Sequence, residues 1–225
     1  VTIKTLYGLS TSTIDGDITE NINYSCDGNT FVTLATDGYY TGKAYTINGD
    51  AVFNMNGAGI SSVYIVQNGA VLSKTLTAKV TDSKVDNLCG VSQSAKVDGD
   101  VSLTFDGISA VKDGRSASVY GASSAAILGN LDLKLKSQSG SEMSVYGTNN
   151  TNIKGNVNVS VDGSGAKFNT IYGMYGGMLG GRADIDIKNC AAGYTTCGMN
   201  SVSFSQTQPE EEGTYTYTVN MENIT

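Results

Sequence analysis

The sequence predicts an all-β chain folded as a right-handed parallel β-helix, a solenoid of about seven or eight coils with a C-terminal β cap. Two observations carry this: a nine-residue alternating motif that recurs along the chain, and a second marker that recurs with the same rhythm between the copies. Composition agrees. Charged residues make up 16% of the 225 residues, against roughly 25% in ordinary soluble domains, and Ser, Thr and Asn fill the gap. Neutral hydrogen-bonding side chains suit exposed strands better than exposed helices.

The motif is apolar-x-Gly-polar-apolar-x-apolar-x-apolar. It reads Val97-x-Gly99-Asp100-Val101-x-Leu103-x-Phe105, then Ile127-x-Gly129-Asn130-Leu131-x-Leu133-x-Leu135. It returns from Ile153 to Val161 and from Leu179 to Ile187, and upstream from Ile47 to Met55. Leu72 to Val80 fits with Lys74 in the Gly position, and Ile22, Tyr24 and Cys26 make a weaker first copy. With the Gly position as origin, copies start at 20, 49, 74, 99, 129, 155 and 181.

The second marker is Leu88-Cys89-Gly90, Val119-Tyr120-Gly121, Val145-Tyr146-Gly147, Ile171-Tyr172-Gly173 and Thr196-Cys197-Gly198, joined by Val63-Tyr64-Ile65 and Leu6-Tyr7-Gly8. Extra residues between Phe105 and Val119 lengthen both series at one place. A strict period of two means a strand with one buried face. A lone strand cannot bury that face, whereas stacking one unit on the next buries it and pairs the backbone along the axis. Leucine-rich repeats share the period but not the consensus, and propeller blades need longer repeats. Right-handedness follows from the general preference of parallel crossovers.

Stacking predicts files of like side chains. The inward file at the end of the main strand should hold Cys26, Met55, Val80, Phe105, Leu135, Val161 and Ile187. The outward file beside it should hold Asp27, Asn56, Thr81, Asp106, Lys136, Asp162 and Lys188. The polar residue after Gly (Asp50, Thr75, Asp100, Asn130, Asn156, Arg182) should hydrogen-bond along the stack at a bend. Residues 1–208 form the solenoid on this reading. The tail 209–225 opens with Pro209 and three glutamates, then alternates through Tyr215, Tyr217, Val219 and Met221 as a capping strand or hairpin.

Function classes narrow by exclusion. The formal charge is −7 and only two arginines occur, Arg115 and Arg182, which argues against a nucleic-acid partner. No apolar run approaches the roughly 18 residues of a membrane span, so direct membrane insertion is not expected. The chain has no histidine, which removes Ser-His-Asp and Cys-His pairs. Cys26, Cys89 and Cys197 fall on coils too far apart to bridge, so only Cys190 and Cys197 could pair. The ordinary reading is that all four are small buried hydrophobes. No cofactor is expected.

Two sets of side chains stand out as candidate sites. Tyr64, Tyr120, Tyr146 and Tyr172 share one register with Cys89 and Cys197. Facing outward they make an aromatic platform for sugars or a partner; facing inward they make a buried ladder. Asp162, Asp184 and Asp186, with Arg182 adjacent, could hold calcium or act as a glycosidase acid/base set. Their competing reading is solvated surface charge offset by Lys134, Lys136 and Lys188.

The coil pattern over roughly residues 15 to 205 resembles the pectate-lyase-like right-handed β-helix superfamily. It looks closest to the adhesin-like branch of bacterial surface proteins, where Gly-Asn/Asp-Val-x-Val strands repeat. That resemblance implies a non-catalytic extracellular or bacterial cell-surface module, part of a larger surface protein, that binds a glycan or host-surface protein or serves as a stalk. A chain opening at Val1 fits a mature or excised piece. The enzymatic alternative is a polysaccharide lyase or glycoside hydrolase using the three aspartates.

Overall fold

The computed structural model describes residues 5–10, 13–23, 31–36, 46–111, 116–138, 140–164, 166–204 and 217–225. Cys26, Asp27, Arg115, Pro209 and Tyr215 lie outside them. The chain is an all-β parallel solenoid, with no helix among the described residues.

Each turn contributes a strand to three faces. The main sheet holds Ile18–Ile22, Ala51–Asn56, Leu76–Thr81, Val101–Ile108, Leu131–Ser137, Val157–Asp162, the first half of Ala183–Asn200, and Tyr217–Ile224. The second, hereafter the tyrosine sheet, holds Gly59–Gln67, Lys84–Ser92, Ser116–Ser123 and the leading parts of Glu142–Ile153 and Lys167–Leu179. Thr5–Ser10 and Phe31–Thr36 precede these, and the second half of Ala183–Asn200 follows. Two-residue strands such as Val71–Leu72, Lys96–Val97 and Ala126–Ile127 close each turn. All pairings between neighbouring turns are parallel.

From Thr46 to Phe204 the chain completes about six turns rather than seven or eight. The higher expectation counted every copy of the motif, the weak first one included, as a full coil. Strands at the ends do extend the sheets, and Tyr217–Ile224 adds in parallel to the preceding main-sheet strand.

The expected files are present. Val101 pairs with Leu131, Leu131 with Val157, and Val157 with Ala183. Met55, Val80, Phe105, Leu135, Val161 and Ile187 form one buried inward file. Asn56, Thr81, Asp106, Lys136, Asp162 and Lys188 run beside it outside.

The first copy is corrected. Ile18 pairs with Ala51, Glu20 with Phe53 and Ile22 with Met55. The unit therefore starts at Gly16, not at position 20, and Ile22 occupies the slot expected for Cys26. Glu20 caused the misreading, because it puts a carboxyl where the motif demands an apolar residue. Burial raises its pKa to about 7, and one of its oxygens, Oε2, is buried with no hydrogen-bond partner.

Glycines stand where coils approach most closely. A Cβ on Gly129 would lie 2.5 Å from the backbone of Gly99, and one on Gly155 would lie 2.5 Å from the Gly129 carbonyl. On the tyrosine sheet, a Cβ on Gly147 would meet Val159 at 2.5 Å, and one on Gly173 would meet Ile185 at 2.6 Å. Both recurrent glycines are thus steric requirements of the stack.

At the bend after the first glycine, side chains reach the next coil. Asp17 Oδ1 accepts from the Asp50 amide at 2.8 Å, and Asp50 Oδ1 accepts from the Thr75 amide at 3.0 Å and its hydroxyl at 2.7 Å. Asp100 accepts from the Asn130 amide at 2.7 Å, Asn130 from the Asn156 amide at 2.8 Å, and Asn156 from the Arg182 amide at 2.9 Å. The hydrogen bonds from Thr75 hold the Asp50 carboxyl below its ordinary range.

Candidate functional site

The tyrosine file faces outward. In Glu142–Ile153 the inward residues Met143, Val145 and Gly147 alternate with the half-buried Glu142, Ser144 and Tyr146. Register carries this along the sheet: Tyr64 pairs with Cys89, Cys89 with Tyr120, Tyr120 with Tyr146, Tyr146 with Tyr172, and Tyr172 with Cys197. The rings of Tyr120 and Tyr146 stack with centroids 5.0 Å apart and planes 10° apart; those of Tyr146 and Tyr172 stack at 5.4 Å and 24°.

Stacking decides what this file can present. The paired ring faces are turned toward each other along the axis, so solvent meets ring edges and phenol hydroxyls. Burial, and after it the neighbouring phenols and thiol, keeps the Tyr120 hydroxyl protonated beyond its usual range; burial followed by Cys89 does the same for Tyr64. Tyr175 departs from the file. It meets Tyr146 edge-on at 6.3 Å and tilts against Tyr172 at 5.1 Å, and it is exposed. Beside the tyrosines runs a second outward file of Ser62, Asn87, Ser118, Ser144, Thr170 and Thr195.

The cysteines divide by position. Cys89, flanked by Tyr64 and Tyr120, is buried although its file points outward, and burial pushes its thiol up to about 12. Cys190 is buried on the main sheet, with its thiol pushed up to about 11 by burial. Cys197 is half-buried, and all three are free thiols.

The aspartates lie on the outer face of the main sheet, in three separate files. Asp184 pairs with Asn158, Asp186 with Ser160, and Asp162 with Lys188. Arg182 grips Asp184 at 2.7 Å, and Lys188 approaches Asp186 at 3.6 Å. Asp162 accepts hydrogen bonds from Asn189 at 3.1 Å and from Ser164. Desolvation pushes its pKa up, but these bonds outweigh it and the net shift is downward. Among the described residues no three acidic or thiol side chains come together to hold a metal ion. Asp184 and Asp186, with Asp132, Lys134, Asn158 and Ser160, line an open groove of about 530 Å³; Asp162 lies outside it.

Sequence reasoning missed Tyr194. It is 86% exposed, on a bulge: Phe168 pairs with Ala192 and Thr170 with Thr195, so Asn169 faces both Gly193 and Tyr194. Counting back from Cys197 in steps of two assigns Tyr194 to the inward set. Only the small residues Ala191, Ala192 and Gly193 before it hint at an interruption. No family model matches the chain, and neither a curated protein nor a solved structure is significantly similar to it.

Proposed function

We propose that the protein is a non-catalytic β-helix module of the bacterial surface. On this reading it is an adhesin-like segment of the pectate-lyase-like superfamily that binds a glycan or host-surface protein and holds other domains away from the cell. The observation that carries this is the outer surface of the tyrosine sheet, where parallel files of tyrosine, serine and threonine run in register over successive turns. Such a face offers many weak, evenly spaced hydrogen-bonding and apolar contacts, which suit an extended hydroxyl-rich ligand. Strand pairing along the whole axis gives the stiffness a stalk requires.

The test is a screen of the purified protein against neutral and acidic polysaccharides that records retention and chain cleavage together. Retention without new reducing ends or unsaturated products is the expected result. Cleavage would instead support the second reading, a polysaccharide lyase or glycoside hydrolase, which the groove around Asp184 and Asp186 favours. In that case Asp184→Asn should abolish turnover.

A further inference from the structure

We propose that the outer face of the tyrosine sheet carries a defined saccharide subsite at its C-terminal end, between Tyr194 and the Tyr172–Tyr175 pair. The inference rests on the glycan-binding reading above and locates it.

The bulges are the first observation. Asn169 is an extra residue relative to the strand before it, because Met143 pairs with Phe168 while Ser144 pairs with Thr170. The next strand adds another extra residue at the same place, Gly193–Tyr194 opposite Asn169. Bulges interrupt a ladder and re-aim side chains. Here the outcome is an aromatic ring 86% open to solvent, where simple alternation would have buried it. Asn169 anchors the first bulge by donating from Nδ2 to Ser116 Oγ at 2.6 Å, two coils away.

The second observation is Tyr175, which leaves the stacked file and rests across Tyr146 and Tyr172 at 37% exposure. Among the described residues, neither Tyr194 nor Tyr175 is paired face to face with a neighbour along the file, unlike the rings within the stack. Between these aromatic walls lie the hydroxyls of Ser144, Thr170 and Thr195 in register. Tyr194 stands three residues before Cys197, the partner of Tyr172, so Tyr194 and the level of Tyr172 are about 10 Å apart along the strand.

The chemistry selects the ligand. The C–H face of a sugar ring packs against the electron-rich face of a tyrosine, while its hydroxyls exchange hydrogen bonds with serine and threonine. Among the described residues of the flanking file, Glu142 and Lys167 carry opposite charges and pair with each other at 3.5 Å. The ligand class is therefore an uncharged saccharide.

The chain has 13 tyrosines and no tryptophan, so its intrinsic fluorescence comes from tyrosine, and the variants below identify which rings respond. The experiment titrates the full chain with soluble mannan, xylan and galactan and follows fluorescence alongside affinity electrophoresis. At least one should bind, Tyr194→Ala should weaken that binding about tenfold or more, and Tyr194→Phe should retain it. Tyr217→Ala, an exposed aromatic on the other sheet, should bind as wild type. Because Tyr194 touches little, circular dichroism of Tyr194→Ala should match wild type. Binding unchanged in both Tyr194→Ala and Tyr175→Ala would overturn the subsite while leaving the glycan-binding function standing. Failure of the wild type to bind any of the three would overturn the subsite, and failure to bind acidic polysaccharides as well would overturn the glycan reading with it.

Discussion

Two files of the solenoid make an instructive pair. One points inward and runs Glu20, Phe53, Ala78, Leu103, Leu133, Val159, Ile185, Val219. The other points outward and runs Tyr64, Cys89, Tyr120, Tyr146, Tyr172, Cys197. Each contains an acidic group out of keeping with its neighbours, Glu20 among apolar residues and Cys89 among aromatic ones. Burial raises both pKa values, Glu20 to about 7 and Cys89 to about 12. The difference is one of place. Cys89 lies mid-file with a ring on either side and is 1% exposed, so it never ionises near neutrality. Glu20 lies on the first described rung of the main sheet, paired with Phe53 and only partly buried as a residue, and burial raises its carboxyl to about 7 rather than beyond the neutral range. Within a stack, position along the axis governs chemistry as strongly as direction of the side chain.

The largest way to break the inward file is Leu133→Ala, which opens a cavity at a fully buried site. It should cost about 2–5 kcal/mol, read from urea unfolding; a loss below about 1 kcal/mol would mean the file is not close-packed.

Glu20→Gln sharpens the contrast at the rung's end. The folded-state pKa of Glu20 is about 7 against an ordinary 4.5, so the folded state prefers the protonated carboxyl. Its penalty is absent below pH 4.5, grows as pH rises, and is complete above pH 7. The shift sets an upper bound of about 3 kcal/mol, and the partial exposure of the residue reduces this to about 1–2 kcal/mol. Melting curves of Glu20→Gln should therefore match wild type at pH 4 and run higher at pH 8. Equal stability at both values would remove the strained carboxyl from the account.

The smallest effect is kinetic. Alkylation of the native protein, mapped by peptide mass, should modify Cys197 well before Cys89. Equal rates would show that Tyr64 and Tyr120 do not shield the thiol between them.

Much of this was legible in the residues themselves. The alternation from Val97 to Phe105 and its later copies gave the files, and the residue after each glycine gave the hydrogen bonds along the bend. The start of the first unit was hidden because Glu20 breaks the apolar pattern. The facing of the tyrosines stayed open because Cys89 and Cys197 share their register and cysteine favours burial. Cys89 is in fact buried on an outward file, so burial and inwardness are separate properties here. Phe31–Thr36 escaped notice because Thr33, buried, follows Val32, which pairs with Val63; a threonine thus takes the tyrosine slot. Tyr194 depends on a bulge, which periodicity alone cannot foresee.

The hydrogen bonds that side chains accept at the bend all run one way. Asp17, Asp50, Asp100, Asn130 and Asn156 each accept from an amide that comes later in the chain. A finished coil therefore holds out an acceptor for a successor that has not yet formed. Construction of the rod can follow the order in which the polypeptide leaves the ribosome, each layer templated by the one before it.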